Sequence, residues 1–294
     1  MHTKILNGRK VFLMMNNTCL VMAGFISLLP FIYLISVSLS DSVAVAAGEV
    51  SLWPIGLNLK SYEYVLRKSD FLTSLLISVE RVVLGTSINM LLVVLTAYPL
   101  SKETARFKQR TAYAWFFAFT MFFGGGLIPT FMVVRYMGLL NTIWALVVPG
   151  AVSVGNIILM LNFFRSLPVE MEEAAMTDGA GHMTILFRIF LPVSSPGLAT
   201  VMLFIMVTHW NTWFDGIIYM NTPSKYPLQS YLQALVIMKV KEIMTAEDAE
   251  KLRFLSDKTM RASQIFIGML PILLVYPFLQ KYFTKGLVLG SVKG

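Results

Sequence analysis

Residues 71–100 read FLTSLLISVERVVLGTSINMLLVVLTAYPL, and where that run is housed decides the class of protein. Its apolar stretch, about 73–99, exceeds the roughly 20 residues a helix needs to cross the hydrocarbon core of a bilayer. Only Glu80 and Arg81 carry charge inside it. The rest of the chain agrees: mean hydropathy is +0.69, with 56% hydrophobic and only 14% charged residues among 294. Soluble domains carry about 25% charged residues. A single water-facing core of this size cannot absorb so much apolar surface, so the chain reads as an integral membrane protein.

Working outward, five more apolar segments stand at 17–38, 112–135, 143–164, 194–220 and 263–283. Lipid admits only helices and closed barrels, and these runs are too long and too evenly apolar for barrel strands. The expectation is an all-α protein with about six transmembrane helices in a single domain over 1–294. The first run follows Lys4, Arg9 and Lys10 and precedes AVAA at 44–47, an arrangement like a signal peptide. Its apolar residues extend from Leu20 to Leu39, past the roughly 7–15 of a signal core, so it reads as a retained span.

Orientation follows the basic residues of the loops. With the N-terminus inside, Lys4, Arg9, Lys10, Lys102, Arg106, Lys108, Arg110, Arg165 and Arg188 fall on the cytoplasmic side and outnumber its acids. The outer segments are nearly balanced. Both termini and the 165–193 loop are thus expected in the cytoplasm, and the 221–262 loop outside.

Cys19 is the single cysteine, so there is no internal disulfide. His2, His182 and His209 lack ligand spacing, and no metal site is expected. The glycines of GGGLIP at 124–129 lack the lysine and hydroxyl of a phosphate loop. They read as glycines that kink a span or let helices approach closely. No catalytic constellation appears.

The 165–193 loop carries EEAAMTDGAGHMTILFRIFLP at 172–192. Acids just after Pro168 suit the start of a short helix, Gly179 and Gly181 permit a turn, and HMTILFRIF reads as a second short helix. Apolar residues outside the bilayer are expected against another protein or the inner membrane face. Glu173, Ala174, Ala175, Gly179, Ile189, Leu191 and Pro192 match E-A-A-x-x-x-G, nine residues, I-x-L-P. This resembles the cytoplasmic loop of permease subunits of binding-protein-dependent ABC importers. Asp178 and Ala180 complete DGA, which is similar to the carbohydrate-uptake branch. LTAYPLSK at 95–102, LLNTIWALVVPGAV at 139–152, HWNTWFDGIIYMN at 209–221 and PILLVYPFLQKYF at 271–283 look like its maltose-permease-like, oligo- and polysaccharide members.

The resemblance implies a type I importer permease fold in the bacterial cell membrane. It implies a second homologous permease subunit, two ATP-binding subunits and an extracytoplasmic solute-binding protein as partners, and no nucleic acid. ATP and Mg²⁺ would belong to the ATP-binding subunits and no cofactor to this chain. The loop becomes a coupling-helix pair docked on the ATPase. Glu172, Glu173, Ala174, Ala175, Asp178, Gly179, Ala180, Phe187, Ile189, Leu191 and Pro192 are implied at that contact. Glu173 would meet a basic ATPase residue, Ala174 and Ala175 would permit close approach, and Gly179 would position both helices. The 221–262 loop would face the solute-binding protein, and Thr245 reads as the N-cap of a short helix there. The terminal GSVKG would reach toward the ATPase.

For the translocation pathway the residue candidates are Glu80, Arg81, His209, Trp210, Asn211, Trp213 and Asp215. Charges at membrane depth are costly and often functional. The Glu80–Arg81 pair could also snorkel or meet another subunit. Indole rings stack on sugar faces, and Trp210 and Trp213, three apart, would share a helix face. Interfacial tryptophan is the competing reading. An ion-driven secondary transporter would need more intramembrane carboxylates than Glu80.

Overall fold

The computed structural model describes residues 2–237 and 257–291. The regular structure of the described residues is entirely helical. The chain divides into two compact units, residues 1–69 with 239–269 and residues 70–238 with 270–294.

In the first unit, α1 (His2–Ser38) is largely apolar beyond its basic start, and its large side chains from Val11 to Tyr33 are exposed, as lipid-facing residues are. The chain then turns. The Asp41 carboxylate accepts from the Val43 N–H at 3.2 Å and caps α2 (Ser42–Ala47). Val37, Ala44, Val45, Val50 and Ala262 form a small apolar cluster. The α3 helix (Lys60–Arg67) is pinned by a 2.6 Å hydrogen bond between the Ser38 and Tyr62 hydroxyls.

The second unit is built on α4 (Ser69–Ser101), which is 33 residues long. After it come α5 (Arg110–Phe122), α6 (Leu127–Tyr136), α7 (Trp144–Val147) and α8 (Val154–Arg165). Then follow α9 (Val169–Thr177) and a composite α10 (His182–Val193) whose middle, Leu186–Phe190, widens into a π turn. Next are α11 (Ser195–Asn211), α12 (Phe214–Tyr219) and α13 (Leu228–Ile237), while α14 (Asp257–Ser291) ends the described chain. The core joins α4, α8, α9, α10 and α11 through Val93, Ala97, Tyr98, Ile157, Met160, Phe164, Ala175, Ile185, Phe190 and Val201.

Three described helices are long and apolar enough to cross a membrane, and two bent pairs bring the number to five. Three spans expected as single helices are interrupted. The 112–135 segment is α5 and α6, bent by 113° across the 124–126 glycines. The 143–164 segment breaks at Pro149 and Gly150, because proline supplies no N–H and clashes with the preceding turn. The twelve-residue α8 that remains rises only about 18 Å. The 194–220 segment ends its helix at Asn211 and resumes at Phe214, since Thr212 is extended (φ −70°, ψ 123°). Apolar composition registers membrane depth but not these breaks.

Candidate functional site

Two polar features lie in the second unit, one at an elbow after α8 and one among the apolar helices.

The elbow is α9, a turn and α10. Pro168 precedes α9, and Glu170 and Glu172 occupy its first turn, where the helix dipole favours carboxylates. Its end is a double-bonded cap. The Gly179 N–H donates to the Met176 carbonyl at 3.0 Å, and the Ala180 N–H to the Ala175 carbonyl at 2.9 Å. That geometry places the residue after the helix in the left-handed region, and Gly179 has φ +80°. The E-A-A-x-x-x-G spacing therefore has a local cause: four residues beyond Ala175 only glycine adopts this conformation without strain. Gly181, at φ −76°, needs no such freedom.

The face of α9 bearing Glu172 and Ala175 is buried, while Glu173, Ala174 and Asp178 are exposed and Ala180 is half-buried. Of α10, Ile185 and Phe190 are buried in the shared core. Phe187 is 54% exposed and Pro192 is exposed, with Ile189 and Leu191 half-buried. The second short helix is thus seated on its own protein by one side and free on the other.

The acids require a correction. Glu172 does not point to a partner: it is 4% exposed, and its Oε2 accepts from Lys102 Nζ at 2.8 Å. Arg106 stands 3.5 Å from the same oxygen. Glu173, expected to meet a basic residue of the ATPase, accepts from Arg106 of this chain at 2.8 Å. The reason is proximity, because the loop after α4 turns its cations back onto α9. Lys102 Nζ also sits 4.0 Å above the Tyr98 ring and 4.0 Å above the Phe190 ring. Burial pushes the Lys102 ammonium below its ordinary range, an effect the Glu172 carboxylate partly offsets. A lysine at the end of α4 is thereby latched to the buried face of α9.

The second feature is a cavity of about 320 Å³ lined by Arg81, Asn89, Ser153, Asn156, Thr208, His209, Thr212 and Asp215, among others. Arg81 is 2% exposed. One guanidinium nitrogen donates to the Thr212 carbonyl at 2.9 Å, and both donate to the Asp215 carboxylate. Asp215 also accepts from the Gly216 N–H at 2.8 Å. The partner of Arg81 is therefore within the chain, and the expected snorkelling or contact with another subunit is replaced by this pair. Such a pair compensates each charge where water cannot.

Arg81, Gly85 and Asn89 are four apart and share a face of α4. Gly85 lets α11 close in, since a Cβ there would lie 2.5 Å from the His209 ring. Asn89 lies 3.2 Å from His209 Nε2. With its amide oxygen toward the imidazole, Asn89 accepts from Nε2–H and donates to the Gly150 carbonyl at 3.2 Å.

Of the pathway candidates, the structure brings Arg81, His209 and Asp215 to this cavity. Trp210 is buried against an apolar hollow of about 200 Å³ with Val79, Val83 and Pro271. Glu80, Asn211 and Trp213 are exposed. The shared helix face expected for Trp210 and Trp213 does not exist, because the helix ends at Asn211. Reading the sequence for charge alone missed Asn89. The signal was there: Ser74, Ser78, Arg81, Gly85 and Asn89 recur every three or four residues on an otherwise apolar helix. Thr245 and residues 292–294 lie outside the described residues.

Long apolar helices, an internal polar cavity and a polar elbow latched to the helix that lines it are the features of a membrane permease. The chain belongs to the permease family of ABC transport systems, which includes sugar and polysaccharide permeases. It is 39% identical over 275 residues to the polygalacturonan/rhamnogalacturonan transport system permease protein YtcP of Bacillus subtilis, covering 94% of this chain and 96% of that one. Protein LplC of the same organism is 38% identical over 287 residues, covering 97% and 96%. A solved bacterial ABC transporter involved in import of the acidic polysaccharide alginate has a chain 34% identical, with TM-score 0.85, covering 93% of this chain and 97% of that one. No family model matches the chain.

Proposed function

We propose that this chain is one of two homologous permease subunits forming the translocation pathway of an ATP-driven importer. Its cargo is an oligosaccharide or polysaccharide delivered by an extracytoplasmic solute-binding protein. The relatives named for polygalacturonan/rhamnogalacturonan and alginate transport favour uronate-containing chains within that class. ATP and Mg²⁺ are bound and used by two partner subunits, and this chain has no catalytic role. The chain sits in a bacterial cytoplasmic membrane with six spans, counting the bent pairs and α8 with its flanks. Both termini and the 165–193 elbow are cytoplasmic, and the 221–262 loop meets the binding protein.

One observation carries this reading. A single helix, α4, bears the cavity residues Arg81 and Asn89 at mid-length and is followed at once by Lys102, latched to Glu172 of the elbow. A motor that moves α9 therefore pulls on the helix that lines the cavity. ATP closure favours one arrangement of the spans by the free-energy difference between its contacts with the two states. The exposed residues Glu173, Ala174, Asp178, Phe187 and Pro192 are the proposed ATPase contact. Glu173 would exchange Arg106 for a basic residue of that subunit.

The test is reconstitution of the four-subunit complex with its binding protein in proteoliposomes. Uptake and ATPase stimulation are measured with a panel of neutral and uronate oligosaccharides. Stimulation by at least one of them is expected. Stimulation by none of them, with an intact complex, overturns the cargo class.

A further inference from the structure

We propose that the cavity where α4 and α8 end and α5 begins holds the headgroup of an anionic phospholipid of the phosphatidylglycerol kind. The proposal rests on the orientation given above, which puts these ends at the cytoplasmic surface of the bilayer. The cavity measures about 440 Å³. Its charged lining is Lys102, Arg106, Arg110 and Arg165, with Glu103 and Glu172.

The two pairs of cations differ. Lys102 and Arg106 face the Glu172 and Glu173 carboxylates. Arg110 and Arg165 form no ion pair among the described residues. Both instead donate to one backbone oxygen, the Leu100 carbonyl, at 2.9 and 3.4 Å. Two guanidinium groups converging on a single neutral acceptor repel each other, and most of their donors have no protein acceptor among the described residues. A phosphate between them matches both forks.

A second, independent observation selects the headgroup. Glu172 also lines this cavity; its Oε1 is buried beneath the cavity surface and has no hydrogen-bond partner. A buried acceptor left unpaired is costly, and what it lacks is a donor. A glycerol headgroup carries both groups, a phosphate for the arginines and a hydroxyl that would meet Oε1 once the Glu172 side chain turns toward the cavity. The walls also suit a lipid, since Phe164, Leu167, Pro168 and Val169 complete the lining beside the apolar helices. Basic pockets between spans on the cytoplasmic side are where anionic headgroups collect. Because Glu172 belongs to the latch, an occupant here bears directly on the seating of α9.

The experiment measures lipid retained by the assembled, purified transporter in phosphatidylcholine nanodiscs doped with phosphatidylglycerol, by native mass spectrometry and by titration. The double variant Arg110→Gln/Arg165→Gln is expected to bind phosphatidylglycerol about a hundredfold more weakly, the value of two lost charge-assisted hydrogen bonds. Arg188→Gln, an exposed cation outside the cavity, should leave retention unchanged. Should the double variant fail to assemble, Arg165→Lys keeps the charge but not the fork, and a measurable loss is still expected. Soluble glycerol phosphate should not displace the lipid.

Equal retention by wild type and the glutamine or lysine variants overturns the site. Displacement by glycerol phosphate or inorganic phosphate reassigns it to a free anion. Retention that appears only when the ATP-binding subunits are removed assigns the cavity to a protein interface. Lipid retention is read without any cargo, so a failure here is distinct from a failure of the sugar panel.

Discussion

Removing the carboxylate of Glu172 should uncouple the elbow from α4 more than it harms the spans. The side chains of Lys102 and Glu172 are 8% and 6% exposed, and their charged atoms are 2.8 Å apart. Breaking a buried pair by deleting one partner typically costs about 3–5 kcal/mol, because the other charge is left uncompensated. Here the lower end applies. Lys102 keeps two aromatic faces at 4.0 Å, and burial lowers its pKa, which eases the loss of its charge partner. Glu172→Gln should therefore destabilise the permease by about 3 kcal/mol, and Lys102→Met by a similar amount. The double variant should recover much of the loss, with a coupling energy of about 1–3 kcal/mol. Thermal unfolding of the purified complex gives the cycle, and binding-protein-stimulated ATPase against uptake gives the function. Each single variant should retain basal ATPase and lose most of its link to uptake. Additive single effects, with a coupling energy under about 0.5 kcal/mol, would refute the latch.

Other outcomes follow from the same geometry. Gly85→Ala drives a Cβ to 2.5 Å from the His209 ring, and uptake should fall with a stability loss of about 1–3 kcal/mol in thermal melts. Gly179→Ala meets no atom within 4 Å but keeps φ +80°, so it should cost about 1–2 kcal/mol of backbone strain. Gly179→Asn should cost less, and uptake assays of the pair should rank the same way. Asp215→Asn leaves Arg81 buried beside a neutral amide and should abolish uptake, whereas Arg81→Met with Asp215→Leu should restore assembly but not transport, measured in proteoliposomes. Burial raises the Tyr62 pKa above 10.0, with the Ser38 hydrogen bond opposing it in part. That stability is full below pH 10.0 and is lost as pH rises through the raised value, so Tyr62→Phe should flatten the alkaline limb of a melting curve.

What was legible in the sequence follows what each signal measures. Hydropathy counts apolar atoms, so it located the membrane segments but not the breaks at 123–126, 148–153 and 212–213, which backbone chemistry decides. The elbow was legible because its pattern is local: Pro168 starts α9, and a glycine four residues past Ala175 ends it. The direction of its acids was not, since Lys102 lies 70 residues from Glu172. A wider gap separates Arg81 from Asp215, 134 residues apart, each legible as an unusual residue and the two not legible as a pair.

Those two long-range pairs share a consequence. Both have their cation on or just beyond α4, one at Arg81 within its length and one at Lys102 past its end, and both have their anion next to a helix break or turn. A charge buried beside a continuous helix would need only one arrangement. A charge bridging to a broken one ties together two segments free to tilt separately. Under the proposed cycle the chain would hold its moving segments by ion pairs that are strong where water is excluded and lose strength as water enters. A cavity that fills and empties during transport would weaken the Arg81–Asp215 pair in one state more than in the other. The elbow pair, outside that cavity, would keep the motor attached throughout.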